Sequence, residues 1–359
     1  MNKKIIFSGG GTGGHIFPAI NLLKHFFDKE YKVILATDNR GHNYVKSNLE
    51  FKSYVLKTET LTNKNLFKKF YSFFLILYSI LKSILILKRE KPDLIFGFGG
   101  YVSFPMCFAA KFFNIPVVIY ENNMILGRAN KYLSPFAKKI FLAKEIKKNY
   151  PDKYVKKTHI VGSILNKDII NYPILEKSHK QETFSIVVLG GSQGAEIFGN
   201  VVPIAIKMIK ESGYKIEVNQ QCLEKQKHTI KNFYNKNNIK NYVFAFEENI
   251  LKFVSSSNLA ITRCGASTTA ELVHMLTPFI AIPLPNSVDN HQYLNAKYYE
   301  EKGCCWILEQ DSFNSKNLFN LIIESIKNKN KLEKISENMK NNYKNDVYIN
   351  IENNIKEII

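Results

Sequence analysis

The residues best placed to do chemistry stand in glycine-rich turns. Ser8 to Ala19 read SGGGTGGHIFPA, with glycine at 9, 10, 11, 13 and 14. Glycines let backbone N–H groups approach a phosphate closely, and a helix starting there adds its own amino-terminal amides. The run contains Gly9-x-Gly11-x-x-Gly14, and Asp38 ends the next apolar stretch, so a generic dinucleotide-binding turn is one reading. His15 follows at the helix entry. It either caps the helix or acts as a catalytic base, since imidazole titrates near working pH. A second loop, GFGGYVSFP, runs from Gly97 to Pro105 and carries Gly99, Gly100, Tyr101 and Ser103. Two such loops at strand ends of one domain can flank a single pyrophosphate.

The second half of the chain repeats the theme. VVLGGSQGAE, Val187 to Glu196, places Ser192 and Gln193 in a turn before a helix, without the Gly-Lys-Ser/Thr of a Walker loop. ITRCGASTTAEL, Ile261 to Leu272, puts Ala266, Ser267, Thr268, Thr269 and Ala270 at a helix start. Glu271 follows; it can accept two ribose hydroxyls or complement the helix dipole. PLPNSVDNHQYLNA, Pro283 to Ala296, adds His291 and Gln292 at another helix start, where Gln292 can bond sugar hydroxyls. There is no Asp-x-Asp pair, so no metal is expected in the chemistry. Five cysteines without a C-x-x-C pair argue against a disulfide framework and a zinc finger, and for a reducing, cytoplasmic setting.

Short apolar runs separated by helix-length segments must position these turns. They lie at 5–7, 32–37, 93–99, 116–122 and 138–143, then at 184–190, 214–220, 242–246, 258–262 and 279–283. Runs that are continuous rather than alternating suit parallel sheets covered on both faces. The expected fold class is α/β: two Rossmann-like domains in tandem, each presenting the carboxyl ends of its strands to a central cleft. The polar, Pro173-containing stretch 171–183 marks the linker region, and the tail after 330 is expected to be helical to its end. The start MNKKIIFSGGG reads as a first strand, being too short in its apolar part for a signal peptide.

The formal charge is +19, from 50 Lys+Arg and 31 Asp+Glu. Residues 1–160 hold 27 basic and 10 acidic residues, the remainder 23 and 21. A basic surface confined to one half seeks a polyanion: nucleic acid, anionic lipid headgroups or a phosphorylated substrate. Nucleic acid fits less well, because aromatic and basic residues are not interleaved as base-stacking platforms require. The same half holds FYSFFLILYSILKSILIL, residues 70–87, flanked by Lys64, Lys68 and Lys69 before and Lys88, Arg89 and Lys91 after. Eighteen helical residues span about 27 Å. Three readings stand: a membrane span, which Lys82 and the position between two strands oppose; a buried sheet-covering helix; and a helix with one face on its sheet and the other on a membrane surface.

Taken together, GGGTGGHIFPA, GFGGYVSFP, VVIYENN, VLGGSQGAE, TRCGASTTAEL and PLPNSVDNHQYLNA resemble, in order and spacing, the MurG family of bacterial peptidoglycan synthesis. The resemblance covers nearly the whole chain. It implies a GT-B architecture and inverting transfer of GlcNAc from UDP-GlcNAc to the C4 hydroxyl of undecaprenyl-pyrophosphoryl-MurNAc-pentapeptide (lipid I), giving lipid II. It implies an acceptor and membrane-associated domain over 1–165, a UDP-GlcNAc domain over 166–342, and a helix over 343–359 packing back on the first. His15 would be the catalytic residue. Thr12, Gly13, Gly14, Asn123, Asn166, Ser192, Glu247, Ala266–Glu271 and Gln292 would meet the donor; Gly11, Gly99, Gly100, Tyr101 and Ser103 would form the loops for the acceptor diphosphate. No cofactor beyond the UDP-GlcNAc substrate is implied. The expected setting is the cytoplasmic face of the inner membrane, on its anionic leaflet, with a cell-wall synthesis complex as partner and no nucleic acid.

The chain departs from the family in places. VGSILN stands where the family has G-N-P-x-R, so Asn166 replaces an arginine and removes a bidentate cation unless Arg263 or a lysine compensates. Tyr120 to Asn123 read Y-E-N-N for H-E-Q-N, Glu196 replaces the arginine after G-S-Q-G-A, and His291–Gln292 stands for a paired glutamine. A UDP-GlcNAc 2-epimerase and a non-catalytic nucleotide- or nucleic-acid-binding protein are the rival readings. An epimerase needs no membrane surface, so the apolar helix and the basic half weigh against it; basic charge supports the binding protein, but interleaved aromatic and basic motifs are lacking.

Overall fold

The structure is a computed structural model describing residues 2–45, 51–58, 66–146, 150–174, 182–191, 195–344 and 346–359. The chain divides into two compact units, Met1–Asn166 with Lys344–Ile359, and Lys167–Tyr343.

The first unit holds β1 (Lys4–Ser8), β2 (Lys32–Thr37), β3 (Lys52–Val55), β4 (Leu94–Gly97), β5 (Val117–Glu121), β6 (Lys139–Leu142) and β7 (Thr158–Ile160). They form one parallel sheet in the order β3-β2-β1-β4-β5-β6-β7. Its helices are α1 (Gly13–Asp28), α2 (Asn39–Val45), α3 (Leu66–Glu90), α4 (Gly100–Ala110) and α5 (Arg128–Leu133). The second unit holds α6 (Lys167–Ile170), α7 (Glu196–Glu211), α8 (Glu224–Lys236), α9 (Ile250–Ser256), α10 (Ala266–His274), α11 (His291–Glu301), α12 (Ser315–Lys327) and α13 (Lys329–Asn341). Its strands are β8 (Thr183–Leu189), β9 (Lys215–Gln221), β10 (Lys240–Phe244), β11 (Leu259–Thr262), β12 (Phe279–Ala281) and β13 (Cys305–Ile307), parallel in the order β10-β9-β8-β11-β12-β13. The last helix, α14 (Val347–Lys356), belongs to the first unit. The expected continuous helical tail is thus corrected: it breaks between Asn341 and Val347, where the chain changes units.

Each sheet starts in its middle and reverses direction once, beside β1 and β4 in one unit and β8 and β11 in the other. Ligands of such sheets bind beyond the carboxyl ends at that reversal. The central strands are apolar throughout because helices cover both faces: Ile5, Ile6 and Phe7 in β1 and Ile186, Val187 and Val188 in β8 are fully buried. At the opposite, amino end of the first sheet, Glu90 is buried among Lys4, Lys52 and Tyr54. Hydrogen bonds from Lys52 and Tyr54 outweigh desolvation and hold its carboxyl at about 2. α14 is tied down by Tyr348, whose hydroxyl donates to Leu165 O, and by Glu352 Oε2, 3.2 Å from His25 Nε2.

α3 is long and apolar enough to cross a membrane by length and composition. One of its stripes faces the unit: Ser72, Ser79, Ser83, Ile86 and Glu90 are buried, and Ser79 Oγ and Lys82 Nζ donate to Lys57 O and Val55 O beside β3. The opposite stripe exposes Phe70, Phe74, Tyr78, Leu81 and Leu85, each by more than half. A wholly buried covering helix is therefore corrected: small serines fill the inward stripe, and the large apolar side chains point outward.

Candidate functional site

The carboxyl rim of the first unit is built around His15. α1 begins at Gly13, and His15 N and Ile16 N donate the first bonds, to Thr12 O. The amides of Gly13 and Gly14 precede them and point off the helix start. His15 Nδ1 lies 2.9 Å from Phe98 O. A carbonyl only accepts, so Nδ1 carries the proton of the neutral ring and Nε2 keeps its lone pair. The ring rests on the second glycine loop: a Cβ on Gly99 would lie 3.2 Å from His15 Nδ1, and one on Gly100 only 2.8 Å from Gly10 O. Both residues also have positive φ, +79° and +73°, which disfavours any side chain there. The two loops are therefore brought into contact, with the histidine seated where they meet.

Several residues flagged in the sequence play supporting parts here. Asp38 holds the first loop, its Oδ2 accepting from Gly11 N at 2.9 Å and its Oδ1 from Gly41 N at 2.8 Å. That use corrects two expectations: Gly11 spends its N–H inside the protein, and Asp38 is not presented to a ribose as a dinucleotide turn requires. Ser103 is corrected likewise, being fully buried with its hydroxyl donating to Gly100 O at 3.1 Å. Thr12 is exposed, Tyr101 half-buried, and Asn166 exposed at the last position before the chain leaves the unit. Asn123 is half-buried, its N and Nδ2 donating to Glu121 Oε1 at 3.1 and 3.0 Å. Glu121 and Asn130 were not singled out by the sequence as site residues. Asn130 carries no motif signal, and Glu121 appears only as a retained residue of the Y-E-N-N stretch, with no role attached.

The carboxyl rim of the second unit centres on α10. Gly265 precedes it, and Ala266, Thr269 and Ala270 face inward. Thr269 Oγ1 donates to Gly265 O at 3.1 Å, so its hydroxyl is corrected to a helix role, while Ser267, Thr268 and Glu271 are half-buried. Desolvation raises the Glu271 carboxyl to about 7. Gln292 bridges two loops: its Oε1 accepts from Cys264 N at 3.1 Å and Leu284 N at 3.0 Å. Its Nε2 is thereby turned away from the backbone as a donor. His291 Nδ1 sits 2.8 Å from Val288 O at the start of α11. Glu247, placed by the resemblance where uracil is read mainly through backbone, uses its carboxylate inside the protein: Asn249 N and Tyr242 OH donate to it and hold its pKa down. Its carboxylate organises the turn before α9. Ser192 lies outside the described residues.

Arg263 does not replace the missing arginine. Its guanidinium donates to Ile282 O, Pro283 O and Gln310 Oε1 and stacks over Phe198. Both terminal nitrogens are committed to the second unit's own framework.

Known proteins agree with this layout. The glycosyltransferase family 28 N-terminal domain matches residues 5–142, and the glycosyltransferase family 28 C-terminal domain matches residues 185–351. A UDP-N-acetylglucosamine–N-acetylmuramyl-(pentapeptide) pyrophosphoryl-undecaprenol N-acetylglucosamine transferase of Pelagibacter ubique is 36% identical over 346 residues, 96% of each chain. The enzyme of that name from Rickettsia felis is 37% identical over 346 residues, 94% of each chain. The fold matches the crystal structure of Acinetobacter baumannii MurG with a TM-score of 0.83 at 24% identity, over 99% of this chain and 100% of that one. The chain belongs to glycosyltransferase family 28, and within it to the MurG family that these relatives represent.

Proposed function

We propose that this chain transfers GlcNAc from UDP-GlcNAc to the C4 hydroxyl of undecaprenyl-pyrophosphoryl-MurNAc-pentapeptide, forming lipid II for peptidoglycan. The relatives' shared name over some 95% of the chain sets the substrates. The observation that carries the chemistry is His15, whose Nδ1 is held by Phe98 O in the tautomer that makes Nε2 the basic nitrogen. The acceptor O4 attacks C1 of GlcNAc and its proton passes to Nε2. The C1–O bond to the diphosphate breaks, its electron pair leaves with UDP, and C1 inverts.

In this reading the second unit takes the donor. The helix-start amides of α10 meet the diphosphate, Glu271 accepts the ribose hydroxyls, and Gln292 Nε2 donates to the GlcNAc oxygens. Thr12, Gly13, Gly14 and Asn123 face the sugars, while Gly99, Gly100 and Tyr101 cradle the acceptor diphosphate. With no Asp-x-Asp pair in the sequence, the leaving group is stabilised by amides and helix dipoles, without an obligatory metal. The exposed stripe of α3, with exposed Lys88 and Arg89 at its end, lies on the anionic inner leaflet, where the acceptor is anchored.

The test is UDP release from UDP-GlcNAc with and without a lipid I analogue, with the disaccharide identified by mass. Acceptor-dependent release with a β-1,4 product supports the reading. UDP-ManNAc formed without acceptor would make the chain an epimerase.

A further inference from the structure

We propose that His274 is a positioning residue for the transfer. It fastens the end of the donor helix α10 to both chain segments that join the two units, so that donor binding at the start of α10 is felt at both joins. The proposal rests on the transferase reading above and adds how the donor site is linked to the rest of the chain.

The chain passes between the units twice, at Asn166–Lys167 and at Tyr343–Lys344. Each unit holds its own ends of the two joins together. In the first unit, Gly162 has a φ of +104°, and a Cβ on it would lie 2.7 Å from Val347 Cγ2 and 3.3 Å from Lys344 Cβ. Both the backbone angle and the close approach demand glycine there. Lys344 Nζ donates to Ile160 O at 3.1 Å, and the Tyr348 hydroxyl donates to Leu165 O.

In the second unit a single side chain touches both joins. His274 is the last residue of α10 and is 5% exposed. Its Nε2 lies 3.0 Å from Ile169 O in α6, just after the first join. Its ring centroid lies 4.3 Å from that of Tyr343, at the second join. A carbonyl only accepts, so Nε2 carries the proton. Burial holds the imidazole pKa below its usual value, which keeps the ring neutral. Nδ1 is buried and has no hydrogen-bond partner among the described residues. The imidazole therefore brings a desolvation cost that a hydrocarbon ring lacks, and the bond to Ile169 O is what offsets it.

The same end of α10 is fixed from a third side. Leu276 has a φ of +51°, a left-handed angle unfavourable for a side chain, and its carbonyl accepts from Ser336 Oγ at 3.2 Å. α10 has nine residues, so it is about 13 Å long. In the proposed transfer its first amides meet the diphosphate, while its last residue holds the joins. A helix this short moves as a rod, so a shift at one end reaches the other.

The test measures hydrogen exchange with and without UDP, the UDP Kd and kcat, in the wild type, His274→Phe and His274→Gln. Phenylalanine keeps a ring against Tyr343 but loses the donor to Ile169 O; glutamine keeps an N–H near the place of Nε2. In the wild type UDP should slow exchange at least roughly threefold at 265–271, and also at 167–171 and 341–344. In His274→Phe the slowing at 265–271 should remain and that at 167–171 disappear. Its kcat should fall roughly 5–50-fold with the UDP Kd within about threefold of wild type. His274→Gln should recover the slowing at 167–171 and bring kcat within about threefold of wild type. A residue that only fills space would give the reverse order, with phenylalanine the milder change. That order, slowing at 167–171 that persists in His274→Phe, or wild-type slowing at 265–271 with none at the joins overturns the proposal. If His274→Phe does not fold, the wild-type pattern still decides. A protein that binds UDP but does not act on lipid I sinks the transferase reading alone, and exchange still judges His274. UDP that slows exchange nowhere removes the donor role of α10 and the proposal with it.

Discussion

The two units share one strand order, yet Glu121 and Glu271, and likewise Asn123 and Gln292, are treated in opposite ways at their rims. In the first, Asp38 and Glu121 accept backbone and side-chain N–H groups and serve as internal anchors. In the second, Glu271 accepts no hydrogen bond among the described residues and is desolvated instead. The amides mirror this. Asn123 is held by its nitrogen, Gln292 by its oxygen, from Cys264 N and Leu284 N. A fold fixes where a rim lies, whereas the hydrogen-bond partner of each rim residue decides what that residue can still offer a ligand. The first unit keeps its loops rigid around a base. In the proposed transfer, the second supplies a carboxylate and an amide donor to the nucleotide sugar.

That contrast sets the predicted effects. Removing the base should cost most: His15→Ala is expected to lower kcat roughly 10²–10⁴-fold. Removing that carboxylate should instead weaken donor use, with Glu271→Ala raising the KM for UDP-GlcNAc roughly 10–100-fold, as loss of a charged hydrogen-bond partner does. With the carboxyl at about 7, the ionised form that accepts ribose hydroxyls is lost as pH falls below that value, so the donor KM of the wild type should rise on acidification. The linkage has the opposite sign for stability. A carboxyl whose folded pKa is raised above its unfolded value favours folding below that unfolded value, and this contribution is lost as pH rises to about 7. Glu271→Gln should therefore stabilise the ligand-free protein at pH 8 by on the order of 1 kcal/mol, measured by urea unfolding. Gln292→Ala should raise the donor KM about 3–10-fold, the scale of a neutral hydrogen bond. The smallest effect on the chemistry is expected at α3. Leu81→Glu with Leu85→Glu should leave Tm and turnover on a soluble acceptor analogue unchanged, but reduce binding to anionic vesicles several-fold. Binding that ignores both vesicle charge and this pair would remove the membrane role of that stripe.

The central strands were legible because burial on both faces leaves a continuous apolar run, as in KVILAT of β2. β3, β7 and β13 were not. All three are edge strands, and KSYV, THI and CWI are short and half-exposed, so no apolar run announces them. The glycine loops and His15 could be read because glycine is demanded wherever backbone and ring approach as closely as Gly99, Gly100 and His15 do. The direction of a side chain could not. Ser103 and Thr269 look like ligand-facing hydroxyls in their motifs, but each lies on the inward face of its helix and bonds a carbonyl of the first turn. Asp38 fits the dinucleotide spacing, yet tethers a loop. For Asp38 the choice depends on a partner far away in sequence, Gly11; for Ser103 and Thr269 it depends on which face of the helix is buried.

The division of labour between the units is tested most directly by titrating UDP into His15→Ala. The account predicts a UDP Kd within about twofold of wild type while acceptor-dependent turnover is lost, because the nucleotide is held by residues of the second unit. UDP binding that disappears with the His15 side chain, or turnover that survives without it, would contradict the account.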